Sequence, residues 1–165
     1  MYRYLLALFC LVFAGCGPQN KGADQKTQLE IRELQTRMYD TQNFKLVMKS
    51  VLNVLQDENF IVKNVALDLG FLTATKEIDV EDPNAAFWAK FQRTDTARWR
   101  KNEVIDATVN VTEFGNQMRV RANFQSKVMD NKGAVVSVNQ MVEDEFYQDF
   151  FSKVDKGIFI QQQNI

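Results

Sequence analysis

Ile105-Asp106-Ala107-Thr108-Val109-Asn110-Val111-Thr112-Glu113-Phe114-Gly115-Asn116-Gln117-Met118-Arg119-Val120-Arg121-Ala122-Asn123-Phe124-Gln125 reads as two strands around a tight turn. Ile105, Ala107, Val109 and Val111 alternate with Asp106, Thr108, Asn110 and Thr112. After Gly115-Asn116 the alternation resumes, with Met118, Val120, Ala122 and Phe124 against Arg119, Arg121, Asn123 and Gln125. Successive side chains of a strand point to opposite faces, so a period of two collects the apolar residues on one side. The hairpin therefore has one face in a core and one in water, the pattern of an antiparallel sheet covered on a single side. Gly115-Asn116 supplies the turn, and Arg119 and Arg121 can pair with hydroxyls and amides across the strands.

Working outward, Phe71-Leu72-Thr73-Ala74-Thr75-Lys76 reads as a strand whose partner is the β-branched segment from Phe60-Ile61-Val62 through Val65 and Leu67, with Asp68-Leu69-Gly70 as the turn. On the other side, Asp130-Asn131-Lys132-Gly133 is a turn signal, and Val135, Val136 and Val138 predict a short strand after it. Phe44, Val47, Met48, Val51, Leu52 and Leu55 form one stripe of an amphipathic helix, with Asp40, Thr41 and Asn43 offering its N-cap and Asn59 its stop. Tyr147, Phe150, Phe151, Val154 and Ile158 predict a terminal helix, with Glu143-Asp144-Glu145 at the end where the helix dipole favours acids and Lys153 and Lys156 towards the other. Gly157 either caps or bends it. Leu29 to Tyr39 fits either period, and its second half reads better as a strand. The expected fold is α+β: an antiparallel sheet of about four to five strands with two main helices packed on one face.

Composition narrows the chemistry. The chain has no His, and its two Cys are Cys10 and Cys16. Loss of residues 1–15 would leave 150 residues, one domain's worth, with 19 Lys+Arg against 21 Asp+Glu. So weak a charge speaks against a nucleic-acid binder, which normally carries a strong basic face. Without His or a second thiol there is no Ser-His-Asp or Cys-His catalysis and no His/Cys zinc site, and no cofactor is expected. Carboxylate-only chemistry survives the exclusion.

The N-terminus carries the most specific signal. Arg3 precedes an apolar run from Tyr4 to Phe13, and Leu11-Val12-Phe13-Ala14-Gly15 leads directly into Cys16. The run is too short to span a bilayer, which takes roughly 20 residues, and its exit in small residues fits a processed signal. The segment resembles a bacterial lipoprotein signal with its lipobox, departing from the usual pattern in having Phe13 where Leu is common. The resemblance implies cleavage before Cys16, acylation of its thiol by palmitate-like chains, and anchoring to a membrane. Gly17 rather than Asp after the lipidated Cys resembles the pattern sorted to the cell outer membrane, facing the periplasm. Residues 16–27, from Gly17-Pro18-Gln19-Asn20 to Thr27, have almost no apolar side chain and read as a flexible tether. The expected organisation is thus signal 1–15, tether 16–27 and a single domain 28–165.

A second resemblance lies inside the domain. Gln56-Asp57-Glu58-Asn59-Phe60-Ile61-Val62 followed by Gly70-Phe71-Leu72-Thr73-Ala74-Thr75-Lys76 is similar to small envelope lipoproteins. The element order resembles the helix-grip domains of the lipoprotein subunit of the β-barrel assembly machinery, over Phe44 to Lys76 by pattern and over the rest by order alone. It implies a non-enzymatic interaction or assembly subunit of an envelope protein complex, and no catalytic residue.

Three features remain as site candidates. Asp82-Pro83 marks a helix start, after which Phe87, Trp88 and Phe91 would cluster beside Arg93, Arg98, Trp99, Arg100 and Lys101. Aromatics next to cations suit a partner surface, and Phe87, Trp88, Phe91, Trp99 and Arg100 are its expected residues. The bland alternative is an insertion helix folded over the sheet with a solvated basic edge. Glu77, Asp79, Glu81 and Asp82 form an acid cluster that could take a hard cation, but no calcium-loop spacing is present and a solvated loop is the preferred explanation; no metal is expected. The aromatic stripe of the terminal helix, in a chain with 13 Phe, packs a core or encloses an apolar pocket. The last reading makes a carrier of a lipid or other hydrophobic ligand the competing function. A hydrolase using acids alone is the third.

Overall fold

The structure, a computed structural model, describes residues 26–80 and 98–163. Helix α1 covers Gln28–Leu34, strand β1 Thr36–Tyr39, helix α2 Phe44–Asp57, strand β2 Ile61–Ala66 and strand β3 Phe71–Asp79. Strand β4 runs over Arg100–Phe114, β5 over Gln117–Asp130, β6 over Val135–Gln140, and helix α3 over Asp144–Gln162. The architecture is α+β, with an antiparallel sheet in the order β1-β5-β4-β3-β2 and β6 also paired to β5. Among the described residues there are six strands, one more than the upper end of the expected four to five. Because β1 and β6 lie end to end along one edge of β5, the sheet is five positions wide.

Each element has a local cause. Thr27 and Glu30 close a capping box at the start of α1, satisfying the first free amides of that helix. Of the three N-cap candidates for α2, Asn43 does the capping, its side chain accepting from the Leu46 amide at 3.0 Å. The helix ends where Asn59 turns left-handed (φ 64°), and the Phe60 and Asn59 amides close back on the Leu55 and Gln56 carbonyls at 2.8 and 3.0 Å. The Leu29 to Tyr39 segment resolves into α1 and then β1: the strand occupies the second half as expected, and the first half is helical because the capping box nucleates it.

Gly70 fixes the β2–β3 connection. A three-residue 3₁₀ turn, Leu67–Leu69, runs into Gly70 at φ 62°, and the Gly70 carbonyl accepts the Val111 amide at 2.7 Å. A Cβ at this position would lie 2.0 Å from the Val111 carbonyl oxygen, so only glycine lets the turn lie against β4.

Register confirms the two-faced reading of the central hairpin. Leu72, Val109 and Ala122 form one cross-strand row, and Ala74, Ala107 and Phe124 another, all buried. The three alanines leave room for rings above them, and Phe124 meets Phe60, Phe146, Tyr147 and Phe150 edge-on at centroid distances of 6.0, 4.8, 5.7 and 5.1 Å. Helices α2 and α3 supply the other half of this core through Val47, Met48, Val51 and Leu55 and through Tyr147, Phe150, Phe151 and Val154. Burying each such large side chain contributes about 1.5–3 kcal/mol. The opposite face carries Thr73, Thr75, Asp106, Thr108, Asn110, Thr112, Arg119 and Arg121, and the predicted cross-strand pairing is present, Arg119 lying opposite Thr112 and Arg121 opposite Asn110.

The gap between β1 and β6 is closed by a polar network. The Ala122 amide donates to the Gln35 carbonyl at 2.9 Å, and the Met141 amide donates to the Phe124 carbonyl at 3.0 Å. The Tyr147 hydroxyl completes it, accepting from the Phe124 amide at 3.4 Å and the Gln35 side chain at 3.4 Å while donating to the Met141 carbonyl at 3.2 Å. At the terminal helix the acids Asp144 and Glu145 occupy the first turn as expected. The lysines do not sit at its other end, because α3 continues through Gly157 to Gln162. Gly157 instead meets Ser50 of α2, the pair of small residues allowing the two helices to approach closely.

Candidate functional site

Of the residues expected to form the partner surface, Trp99 and Arg100 are described, while Phe87, Trp88 and Phe91 lie outside the described residues, as does Cys16. The expected helix opened by Asp82-Pro83 also falls outside them. What the structure shows is the base on which that surface would stand.

Trp99 and its neighbours are held by the turn between β5 and β6. Arg98 Nη1 donates to Asp130 Oδ2 at 2.9 Å, the Trp99 amide donates to Asn131 Oδ1 at 3.3 Å, and the Asn131 amide returns to the Trp99 carbonyl at 3.0 Å. Asp130 is the keystone: its side chain is 3 % exposed against 62 % for Arg98. Its second oxygen accepts the amides of Lys132 at 2.9 Å and Ala134 at 2.8 Å. The Ala134 and Lys132 amides, with the Arg98 guanidinium beside them, hold the Asp130 carboxyl below the ordinary aspartate range. Gly133, at φ 80°, closes the turn.

From this clamp the chain enters β4, where exposed Arg100 lies opposite Asp130 and a register shift follows between Arg100 and Asn102. The Lys101 carbonyl accepts the Val80 amide at 2.8 Å, so both chain ends flanking residues 81–97 are fastened to the same corner of the sheet. The arrangement presents Arg98 and Arg100 around a half-buried Trp99 from a rigid base. It can position cationic and aromatic groups against a partner, and it orders them by the Arg98–Asp130 ion pair together with the hydrogen bonds between Trp99 and Asn131. Sequence reading took Asp130 only as a turn residue. Its role as an acceptor for Arg98 depends on a contact 32 residues away, though Asp followed by Asn-Lys-Gly is a recognisable Asx-turn pattern that hints at the local half of it.

The other candidates resolve differently. Glu77 accepts from the Asn102 side chain at 2.5 Å on the open face, and among the described residues no group of three His, Cys, Asp or Glu is placed to hold a metal. Glu81 and Asp82 lie outside those residues. The aromatic stripe of α3 packs against Phe60 and Phe124, and the cleft lined there by Phe60, Ile105, Phe124, Phe146 and Phe150 holds about 50 Å³. A larger groove, about 400 Å³, runs between α2 and α3 and is lined by Ser50, Asn53, Asp57, Lys153, Lys156 and Ile160 among others. Lys153 bridges its wall, reaching Glu58 at 2.5 Å and Asp149 at 2.6 Å, and those hydrogen bonds raise its pKa and keep it charged.

Among the described residues no helix is long and apolar enough to cross a membrane. No protein-family model matches the chain, and no curated protein matches it.

Proposed function

We propose that this chain is a lipid-anchored, non-enzymatic envelope protein that serves as an interaction or assembly subunit of a membrane complex. Acyl chains on Cys16 hold it to the outer membrane, facing the periplasm, and the domain that follows the tether binds another envelope component. The observation that carries this reading is the run Leu11-Val12-Phe13-Ala14-Gly15-Cys16 followed by the polar stretch to Thr27. Each buried CH₂ is worth about 0.8 kcal/mol, so two or three acyl chains give lasting attachment. The chemistry of the remaining chain supports a binding role, since residues 17–165 contain neither His nor Cys. Further support comes from the clamp around Trp99, which spends a buried carboxylate and several backbone hydrogen bonds on fixing the stem of the aromatic and basic segment.

The test is to tag the C-terminus, crosslink in intact cells of the native host and identify what co-purifies, with Cys16→Ala as the unanchored control. One stoichiometric envelope complex, lost in the control and weakened when Trp88 and Trp99 are both replaced by Ala in a chain that still folds, is the expected result. A clean monomer carrying bound lipid would replace this reading with that of a carrier.

A further inference from the structure

The sheet has three strands with an edge that no described strand pairs: β1, β2 and β6. An unpaired edge is a row of free amides and carbonyls that invites another strand, and proteins that stay apart defend such edges with charge, brevity, bulges or proline. Two of the three are defended by charge. Strand β1 is four residues long and carries Arg37, and β2 places Lys63 at its register shift. Strand β6 reads Val135-Val136-Ser137-Val138-Asn139-Gln140, with no charge and no proline, and its register shift, between Val135 and Ser137, leaves Ser137 to Gln140 in unbroken register with β5. Its valines are left in solvent, at 56, 54 and 49 % exposure for Val135, Val136 and Val138.

The backbone of β6 is also ordered for pairing. The Met141 amide donates to the Phe124 carbonyl, and residues 137 and 139 lie opposite Val128 and Ser126 further along the same ladder. Antiparallel alternation then sends the amides and carbonyls of Val138 and Gln140 to the free edge. The Tyr147 network anchors the C-terminal end of the strand and the Asp130 turn its start, so little ordering remains to be done on association. The neighbouring cation on β5, Lys127, is neutralised by Asp106 at 2.6 Å.

Charge selects the occupant. A two-fold axis sets each residue of an edge opposite a nearby residue of the same sequence, so an edge bearing a charge meets its own like charge. The uncharged β6 avoids this. Antiparallel pairing about Val138 or Asn139 also brings the turn containing Lys132 in one copy towards the exposed Glu143 and Glu145 in the other, twice by symmetry, Asp144 between them being paired with Lys26 of its own chain at 2.7 Å. We infer that β6 is the edge through which two copies of this chain pair, β6 against β6 in antiparallel register, joining their sheets into one.

The sparse cysteine content makes the test direct. Single substitutions Ser137→Cys, Val138→Cys, Asn139→Cys and Gln140→Cys, with Asn116→Cys at the distant hairpin turn as the collision control, are expressed in the full chain in its own membranes and oxidised mildly. At the position on the axis the Cα atoms come about 4.5–5.5 Å apart, within the span of a disulfide. The expected result is a disulfide-linked homodimer concentrated at 138 or 139, several-fold above its neighbours and the control. Adding Val138→Lys to the Asn139→Cys chain, or Asn139→Lys to the Val138→Cys chain, should suppress the product several-fold, while the corresponding Thr substitution retains it. Equal yields at all five positions, no homodimer at any, or capture of a different protein at 138 and 139 would overturn the inference. An unchanged melting profile for the Lys variants separates lost pairing from lost folding.

Discussion

Removing one oxygen atom from Tyr147 should cost far more than removing one from Tyr39, although both rings are buried. The Tyr147 hydroxyl joins the Phe124 amide, the Met141 carbonyl and the Gln35 side chain where β6 leaves β5. Tyr147→Phe leaves two peptide groups and a buried amide side chain to find other partners. At about 0.5–1.5 kcal/mol per net bond, and with separations of 3.2 to 3.4 Å at the long end of the range, the loss should be about 2–3 kcal/mol. At roughly 3 °C per kcal/mol for a domain of this size, the melting temperature falls by about 6–9 °C. The Tyr39 hydroxyl, in contrast, is buried with no hydrogen-bond partner among the described residues. Tyr39→Phe should therefore be neutral or stabilising by up to about 1 kcal/mol, because a desolvated orphan hydroxyl is removed. Urea titrations of both variants, read by far-UV circular dichroism with m compared to the parent, measure the difference. A Tyr147→Phe midpoint within error of the parent, or equal losses in the two variants, would refute the reasoning.

Gly70→Ala should destabilise by roughly 2–4 kcal/mol, combining the left-handed backbone cost with displacement of the Val111 carbonyl. Gly115→Ala, also left-handed but facing open space, should cost only about 1 kcal/mol, and thermal melts of the two distinguish strain from contact. The Arg98–Asp130 clamp should open in acid. Because the folded carboxyl is held below its unfolded value, its contribution is complete above about pH 5 and lost as pH falls through the depressed value. With Trp88 replaced by Phe, Trp99 fluorescence should report this transition before global unfolding, and Asp130→Asn should abolish the pH dependence.

Period-two alternation from Ile105 to Gln125 was enough to assign the central hairpin, its faces and its turn, because a half-buried strand writes its environment directly into its residues. The stripes of α2 and α3 were legible for the same reason. The width of the sheet was less so: β1 has only four residues, and β6 exposes its valines, so neither carries a burial pattern. The first turn of α1 was obscured because its capping box spans the boundary drawn from composition, with Thr27 assigned to the tether and Glu30 to the domain. At the candidate site Trp99 and Arg100 could be named from residue type, but the Asp130 clamp depends on a contact across 32 residues that no local pattern encodes. The Tyr147 network was hidden likewise, since a tyrosine in an apolar stripe announces its ring and not the destination of its hydroxyl.

Acylation of Cys16 is the most direct test of the account. The full chain and its Cys16→Ala variant would be expressed in the native host with an alkyne analogue of palmitate, the envelope separated by density, and label followed on the tagged protein. The account predicts a labelled protein, shortened by removal of residues 1–15 and recovered with the outer membrane, and an unlabelled variant that is not retained there. An unlabelled parent, or label that persists after Cys16→Ala, would contradict it.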